Sequence, residues 1–350
     1  MLAFGEQGLP YAVDGETLET IGPFTFNGAL NEVSPFSAHP SIDRTSGGLV
    51  NFGISFSASR PSLNYYRFEA DGTLAVRRRV AIPRPSSVHD FALGPRHAVV
   101  YLSPDLLDMS VMLSGGSVMD ALSWRPENGS VLLILDRESG RQKTLLDVGS
   151  GYCLHVVNCF ESGGALVLDL LELDEPIYPQ YQVMPELFET VGAARPVRYT
   201  IDTSTWAVTD KLEIPSELLY DFPVVHPQSE QQPTGSAWMV GITSTGRPGA
   251  KFLDRLARVD WDCGSIPDVY QSPEGVAVAS EPMIVPHPRH RARAALLCRF
   301  IDTRQGTDSV LVFDAYDLAA GPRATLRLPT LTPPSFHGSW IADPPPEDRY

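Results

Sequence analysis

Ala295-Leu296-Leu297-Cys298-Arg299-Phe300-Ile301-Asp302, then the turn Arg304-Gln305-Gly306-Thr307-Asp308, then Ser309-Val310-Leu311-Val312-Phe313-Asp314-Ala315, read as two apolar strands joined by a short polar turn. Aliphatic and aromatic runs bounded by Asp and Gly are a strand–turn–strand signature. The same unit recurs upstream. Residues 62–69 close at Asp71-Gly72 and resume at 74–82, a hairpin signal. Residues 131–135 end at Asp136-Arg137-Glu138-Ser139-Gly140, and 198–202 is followed by 211–214. Further β-rich runs are 2–6, 11–14, 47–53, 97–102 and 165–171, whereas helical patterning is confined to 110–122 and 185–191.

Many short strands with regular turns describe an all-β sandwich, barrel or propeller. No WD or kelch repeat is present, so periodicity leaves that choice open. Blades of about 40–50 residues would number about seven in a chain of this length. The 31 prolines and 28 glycines are spread along the chain rather than gathered in a linker, so residues 1–350 read as a single domain.

A net charge of −15 disfavours nucleic acid or an anionic membrane surface as partner, because Lys and Arg supply those attractions. No apolar run approaches the ~20 residues of a bilayer span, and no basic segment followed by an apolar one opens the chain. The four cysteines (Cys153, Cys159, Cys263 and Cys298) lack C-x-x-C spacing and have apolar neighbours. They read as buried reduced thiols, with a cytoplasmic location as the default.

Four histidines stand in distinctive settings: His39 in Ser37-Ala38-His39-Pro40, His89 in Ser87-Val88-His89-Asp90-Phe91, His155 in Leu154-His155-Val156-Val157-Asn158, and His337 in Phe336-His337-Gly338-Ser339-Trp340. Their spacing is nothing like a zinc finger or an H-E-x-x-H helix. Taken singly, each is more often a hydrogen-bonded or surface residue than a ligand. His97, His226, His287 and His290 adjoin Pro, Arg or turn residues and read as solvated.

The motifs around these histidines form an ordered series. Ala38-His39-Pro40-Ser41-Ile42-Asp43 runs on to Gly48-Leu49-Val50-Asn51-Phe52-Gly53, and Tyr65-Tyr66-Arg67-Phe68 follows. Pro83-Arg84-Pro85 leads to His89-Asp90-Phe91, and Trp124-Arg125-Pro126-Glu127 precedes His155-Val156-Val157-Asn158. Glu281-Pro282-Met283-Ile284-Val285-Pro286 and Phe336-His337-Gly338-Ser339-Trp340 close the series. From Leu2 to Trp340 it resembles the carotenoid cleavage oxygenase family. The resemblance implies an all-β, seven-bladed β-propeller with a central metal site and short helices capping one face. It implies a non-haem Fe(2+) and cleavage of a carbon–carbon double bond by O2 to two carbonyl products. By motif, the iron ligands would be His39, His89, His155 and His337, each on a different blade.

The family backs its ligands with three glutamates, which fall by motif on Glu6, Asp221 and Glu281; the second departs from the pattern by one methylene. The plain reading of Asp221 and Glu281 is ordinary turn carboxylates. The resemblance also implies that the N-terminal part of the family's domain is absent here. Stilbene-cleaving members tend to carry lysine where this chain has Gly5, which favours an apolar carotenoid or apocarotenoid over a lignostilbene. A catalytically inactive, ligand-binding propeller is a third reading. Residues 110–122, with Val111, Met112, Leu113, Val118 and Met119, read either as a buried helix or as an apolar patch at a tunnel mouth, which would also give peripheral membrane contact during substrate uptake.

Overall fold

The structure is a computed structural model that describes residues 1–340 except 7, 58, 178–191, 217, 243–252 and 291–292. The helix expected at 185–191 lies outside the described residues. Backbone contacts divide the chain into two compact units. The first comprises Met1–Pro179, Pro196–Leu212 and Gln231–Pro233, and the second Gln180–Arg195, Glu213–Glu230 and Thr234–Tyr350.

Strands pair mostly with their sequence neighbours, antiparallel, as a meander does. The first sheet holds Leu2–Ala3, Tyr11–Val13 and Thr20–Pro23. The second holds Ser41–Ile42, Leu49–Ser55, Ser62–Phe68 and Leu74–Ala81, and the third Ala92–Leu93, His97–Leu102, Val131–Asp136 and Gln142–Asp147. The fourth runs Tyr152–Ser162, Ala165–Leu173, Ala194–Asp202 and Ala207–Glu213. The fifth runs Leu219–Val224, Ser236–Ile242, Arg255–Asp260 and Ser265–Gln271. In the sixth, Val276–Val278 and Met283–Pro286 both pair with Ala294–Asp302, which continues to Thr307–Asp314 and Ala324–Arg327.

The fold class is therefore an all-β propeller with six blade sheets among the described residues, not the seven expected. Dividing chain length by blade length failed because the third sheet carries an insertion between its second and third strands. That insertion holds a two-stranded hairpin, Asp105–Leu107 with Leu122–Trp124, and two short helices. The helices are Met109–Leu113, capped by Asp108, and Val118–Ala121, opened by a Ser117/Asp120 capping box. Gly115, at φ 92°, separates them. They are not a buried helix: Leu113 is 84% and Val118 50% exposed. The apolar-patch reading of 110–122 is the one the burial supports.

Period-2 alternation explains why the inner strands read as continuous apolar runs. In His97–Leu102, Ala98, Val100 and Leu102 join a core with Val50, Phe52, Ile54 and Leu63 of the second sheet. Val99 and Tyr101, pointing the other way, join Leu166, Leu168 and Leu170 of the fourth. Phe26, Phe36, Tyr66 and Phe68 close the core of the first sheet against the second. In the second unit, Trp238, Val240 and Leu256 pack with Leu296, Phe300 and Phe313.

Cys153, Cys159 and Cys298 are buried, and burial pushes the Cys298 thiol up to about 12. Cys263 is exposed, contrary to its apolar-neighbour reading. His97 and His226, expected in solvent, are buried; His97 Nδ1 meets Glu161 Oε1 at 3.0 Å, and His226 Nδ1 accepts the Gln228 amide at 3.2 Å.

Candidate functional site

In the first unit, three of the four singled-out histidines sit at the start of successive sheets. His39 is in the loop entering Ser41–Ile42, His89 precedes Ala92–Leu93, and His155 is in Tyr152–Ser162. Each is placed by identifiable local chemistry.

The His39 loop is tied to the strand beneath it. Asn51, fully buried in Leu49–Ser55, donates to the Ser37 carbonyl at 2.9 Å while its Oδ1 accepts the Phe52 amide at 2.8 Å. Ser37 Oγ donates to the His89 carbonyl at 3.0 Å and accepts the His39 amide at 3.1 Å, so one hydroxyl couples two histidine segments. Gly53 allows the chain to cross the strand closely, since a Cβ there would overlap the Pro35 carbonyl.

His155 owes its orientation to irregular pairing. The ladder between Tyr152–Ser162 and Ala165–Leu173 shifts register between Cys153 and Val156, and again between Val156 and Asn158. Such bulges re-aim side chains. Past the second shift, Asn158 Oδ1 accepts the Gln231 amide at 2.9 Å and its Nδ2 donates to the Gln232 carbonyl at 3.0 Å. Gln231 in turn donates to the Ile42 carbonyl at 2.8 Å and accepts from buried Arg137 at 3.2 Å. Arg137 pairs with Asp43. Burial would raise the Asp43 carboxyl, but hydrogen bonds from Thr45, Arg137 and Ser46 hold it well below the usual carboxylate range.

The three imidazoles converge. Ring centroids are 4.4 Å apart for His39 and His89, 4.9 Å for His89 and His155, and 5.2 Å for His39 and His155. His89 Nδ1 lies 2.8 Å from Glu6 Oε1. A ring N–H donated to that carboxylate leaves Nε2 as the lone-pair nitrogen. Yet His89 Nε2 faces His39 Nε2 at 2.9 Å. Either a single proton is shared between the two nitrogens or a cation receives both lone pairs, so the donor set fits a metal ion that favours imidazole.

Asp90, directly after His89, has a mostly buried side chain. Its Oδ2 accepts the Val156 amide at 2.9 Å, its Oδ1 accepts the Phe91 amide at 2.7 Å, and Oδ1 is 3.6 Å from His39 Nδ1. Burial pushes the carboxyl up, against the pull of His155, the Val156 amide and His89.

In the second unit, Glu281 holds the chain's closing motif. Its Oε2 meets His337 Nδ1 at 2.8 Å, and its Oε1 accepts the Gly338 amide at 2.6 Å. Two backbone bonds run alongside: Glu281 N–H to the Phe336 carbonyl at 3.1 Å and Ser335 N–H to the Ala279 carbonyl at 2.9 Å. Glu281 is thus no ordinary turn carboxylate. Asp221 is buried in Leu219–Val224, the first strand of its sheet, where its Oδ1 accepts the Phe222 amide at 2.8 Å. Phe222 has φ 51°, an uncommon conformation for a bulky residue, and its ring centroid lies 5.3 Å from that of His337.

The structure thus brings His39, His89, His155 and Glu6 together in one unit, and Glu281 with His337 in the other. Ser37, Asn51, Asp90 and Asn158 were not singled out from sequence as supports. For Ser37, Asp90 and Asn158 the available signal was a polar residue one to three positions from a histidine; for Asn51 it was a lone amide inside the apolar run 49–54.

A family profile described as retinal pigment epithelial membrane protein matches residues 1–342. The chain is 29% identical over 354 residues to apocarotenoid-15,15'-oxygenase of Synechocystis sp., covering 97% of this chain and 70% of that protein. It is 28% identical over 360 residues to isoeugenol monooxygenase of Pseudomonas nitroreducens, covering 98% and 73%. Among solved structures, cobalt-substituted Synechocystis ACO is similar with a TM-score of 0.85 and 27% identity, over 97% of this chain and 72% of that one.

Proposed function

The chain belongs to the carotenoid cleavage oxygenase family, that of the retinal pigment epithelial membrane protein, and from that premise we propose an Fe(2+)-dependent dioxygenase that cleaves the carbon–carbon double bond of a carotenoid or apocarotenoid with O2 to give carbonyl products. The proposed ligands are His39, His89, His155 and His337, with Glu6, Asp221 and Glu281 behind them. The observation that carries this reading is the convergence of three imidazoles whose two Nε2 atoms, on His39 and His89, face each other at 2.9 Å. When bound, the ion would supply O2 activation beside the alkene. The chain's own part is to fix the rings. Glu6 and Glu281 would accept hydrogen bonds from Nδ1–H of His89 and His337, which selects the tautomer that presents Nε2.

An apolar substrate suits the exposed Leu113 and Val118 of the short helices, which offer a non-polar landing surface. Among the described residues no helix is long and apolar enough to cross a membrane.

Iron is to be quantified in anaerobically purified protein beside His337→Ala, and the product masses from an apocarotenal then measured under O2. About one iron per chain, lost in the variant, with aldehyde products is the expected result. Folded protein that takes up no iron would sink the reading and leave a ligand-binding propeller. The identity to an isoeugenol monooxygenase favours a second substrate class, the alkene side chain of a phenylpropenoid or stilbene. Aldehyde formed from such a phenol, and not from the apocarotenal, would select it.

A further inference from the structure

We propose that Asp90 is a positioning residue for the metal-binding histidines, a pivot that sets His39, His89 and His155 relative to one another. The inference rests on the metal reading above but concerns a residue outside the ligands and their three carboxylate partners.

Asp90 touches all three histidine segments by different routes. It is covalently next to His89, so any rotation of that backbone moves the carboxyl. Its Oδ2 accepts the amide of Val156, the residue after His155, at 2.9 Å. Val156, opposite Leu170, lies between two shifts of strand register, so the regular ladder is interrupted on both sides of it. The Asp90 bond, from outside the sheet, therefore helps set the path of the bulge at Val156, and with it the aim of His155. Oδ1 stands 3.6 Å from His39 Nδ1, beyond a hydrogen bond but against the ring's edge, and the aspartate side chain is only 11% exposed.

A purely local role would need only the contact with the neighbouring Phe91 amide. The Val156 bond spans 66 residues and the His39 approach joins another sheet, so local turn chemistry does not account for them. Aspartate has one carbon between backbone and carboxyl, so it holds the His89, His155 and His39 segments with little slack. Partners beyond the ligands are where metal sites keep their geometry, and losing one typically weakens binding by about 10–100-fold.

The test uses full-length protein, free of metal, titrated with Co(II) and followed by its visible absorption band, with thermal unfolding of the metal-free forms alongside. Asp90→Asn keeps the shape but replaces one oxygen by a donor. It is expected to fold, to bind Co(II) roughly ten-fold or more weakly, and to show a shifted band. Equal affinity with a superimposable band overturns the inference, even if the variant unfolds earlier, because a merely structural residue would lower stability without altering the bound spectrum. Should Asp90→Asn not fold, Asp90→Glu takes its place: it keeps the charge but lengthens the reach, and an unshifted band there overturns the inference equally. Wild-type protein that binds no Co(II) overturns the metal reading itself, which separates the two failures.

Discussion

Glu281 shows how much a single carboxylate can organise. One oxygen meets His337 Nδ1 and the other accepts the Gly338 amide, so ring and backbone of the closing motif are held together. In Glu281→Gln the amide oxygen can still accept from one of these donors, but no charged acceptor remains for the ring. We expect the unfolding midpoint to change little and metal affinity to fall by roughly 10–100-fold. Metal titration by calorimetry checks this, and wild-type affinity in the variant would remove Glu281 from the site. Asp105 presents the opposite case, a carboxyl with no such task. Its Oδ2 is sealed without a hydrogen-bond partner among the described residues, and burial pushes it up to about 6 from 3.8. A raised folded-state value means that its contribution to stability is full below pH 3.8 and lost as pH rises through 6. Asp105→Asn is therefore expected to stabilise the protein at pH 8 by on the order of 1–3 kcal/mol, an advantage that fades by about pH 4. Urea unfolding at both values measures it; a gain no larger at pH 8 than at pH 4 would count against the buried charge.

At the scale of elements, the strand Leu49–Ser55 carries the His39 loop on its surface. Gly53 is needed there for space rather than for a left-handed backbone, because a Cβ would collide with the Pro35 carbonyl and crowd the Phe36 amide. Gly53→Ala is expected to cost about 1–3 kcal/mol and to lower metal occupancy by displacing His39. Denaturant unfolding and metal content measured together check both, and full occupancy in the variant would show that the loop relaxes without moving the ligand. The elements legible in sequence were those with aliphatic runs between Asp/Gly turns. The hairpin read from 295 to 315 is Ala294–Asp302 with Thr307–Asp314, and Gly306 occupies the positive φ its turn needs. Elements that sequence misjudged depended on a neighbour. His97 looked solvated beside Arg96, but its partner Glu161 comes from another sheet. The 110–122 stretch has helical periodicity, yet Gly115 breaks it, and Leu113 and Val118 stay exposed although Ala121 is buried.

At the scale of the whole molecule, composition and turn chemistry were enough for an all-β chain, while the number of blades was not. Six blade sheets rather than seven among the described residues reflect the insertion that holds Asp105–Leu107, Leu122–Trp124 and two short helices, and counting residues cannot distinguish an insertion from a blade. The candidate site was legible only through motifs, because the distance in sequence between His39, His89 and His155 reflects the length of a sheet and its connections, not any local ligand spacing. A placement rule becomes visible with the sheets known: these three histidines begin the second, third and fourth sheets, and Asp221 lies in the first strand of the fifth. Ligands drawn from separate sheets would make a bound metal a tie between remote segments, which would have a thermodynamic consequence. An ion that binds the folded chain alone stabilises it by mass action, about 2.7 kcal/mol at a free concentration one hundred times the dissociation constant. For a chain of this size that is on the order of 5 °C in unfolding midpoint. Stripping the metal with a chelator should remove the increment and Fe(2+) added back without oxygen should restore it, whereas His337→Ala should be insensitive to both. Calorimetric scans that superimpose with and without Fe(2+) would show that the histidines converge without binding the ion, because no ligand held by the folded state alone can leave its midpoint unmoved.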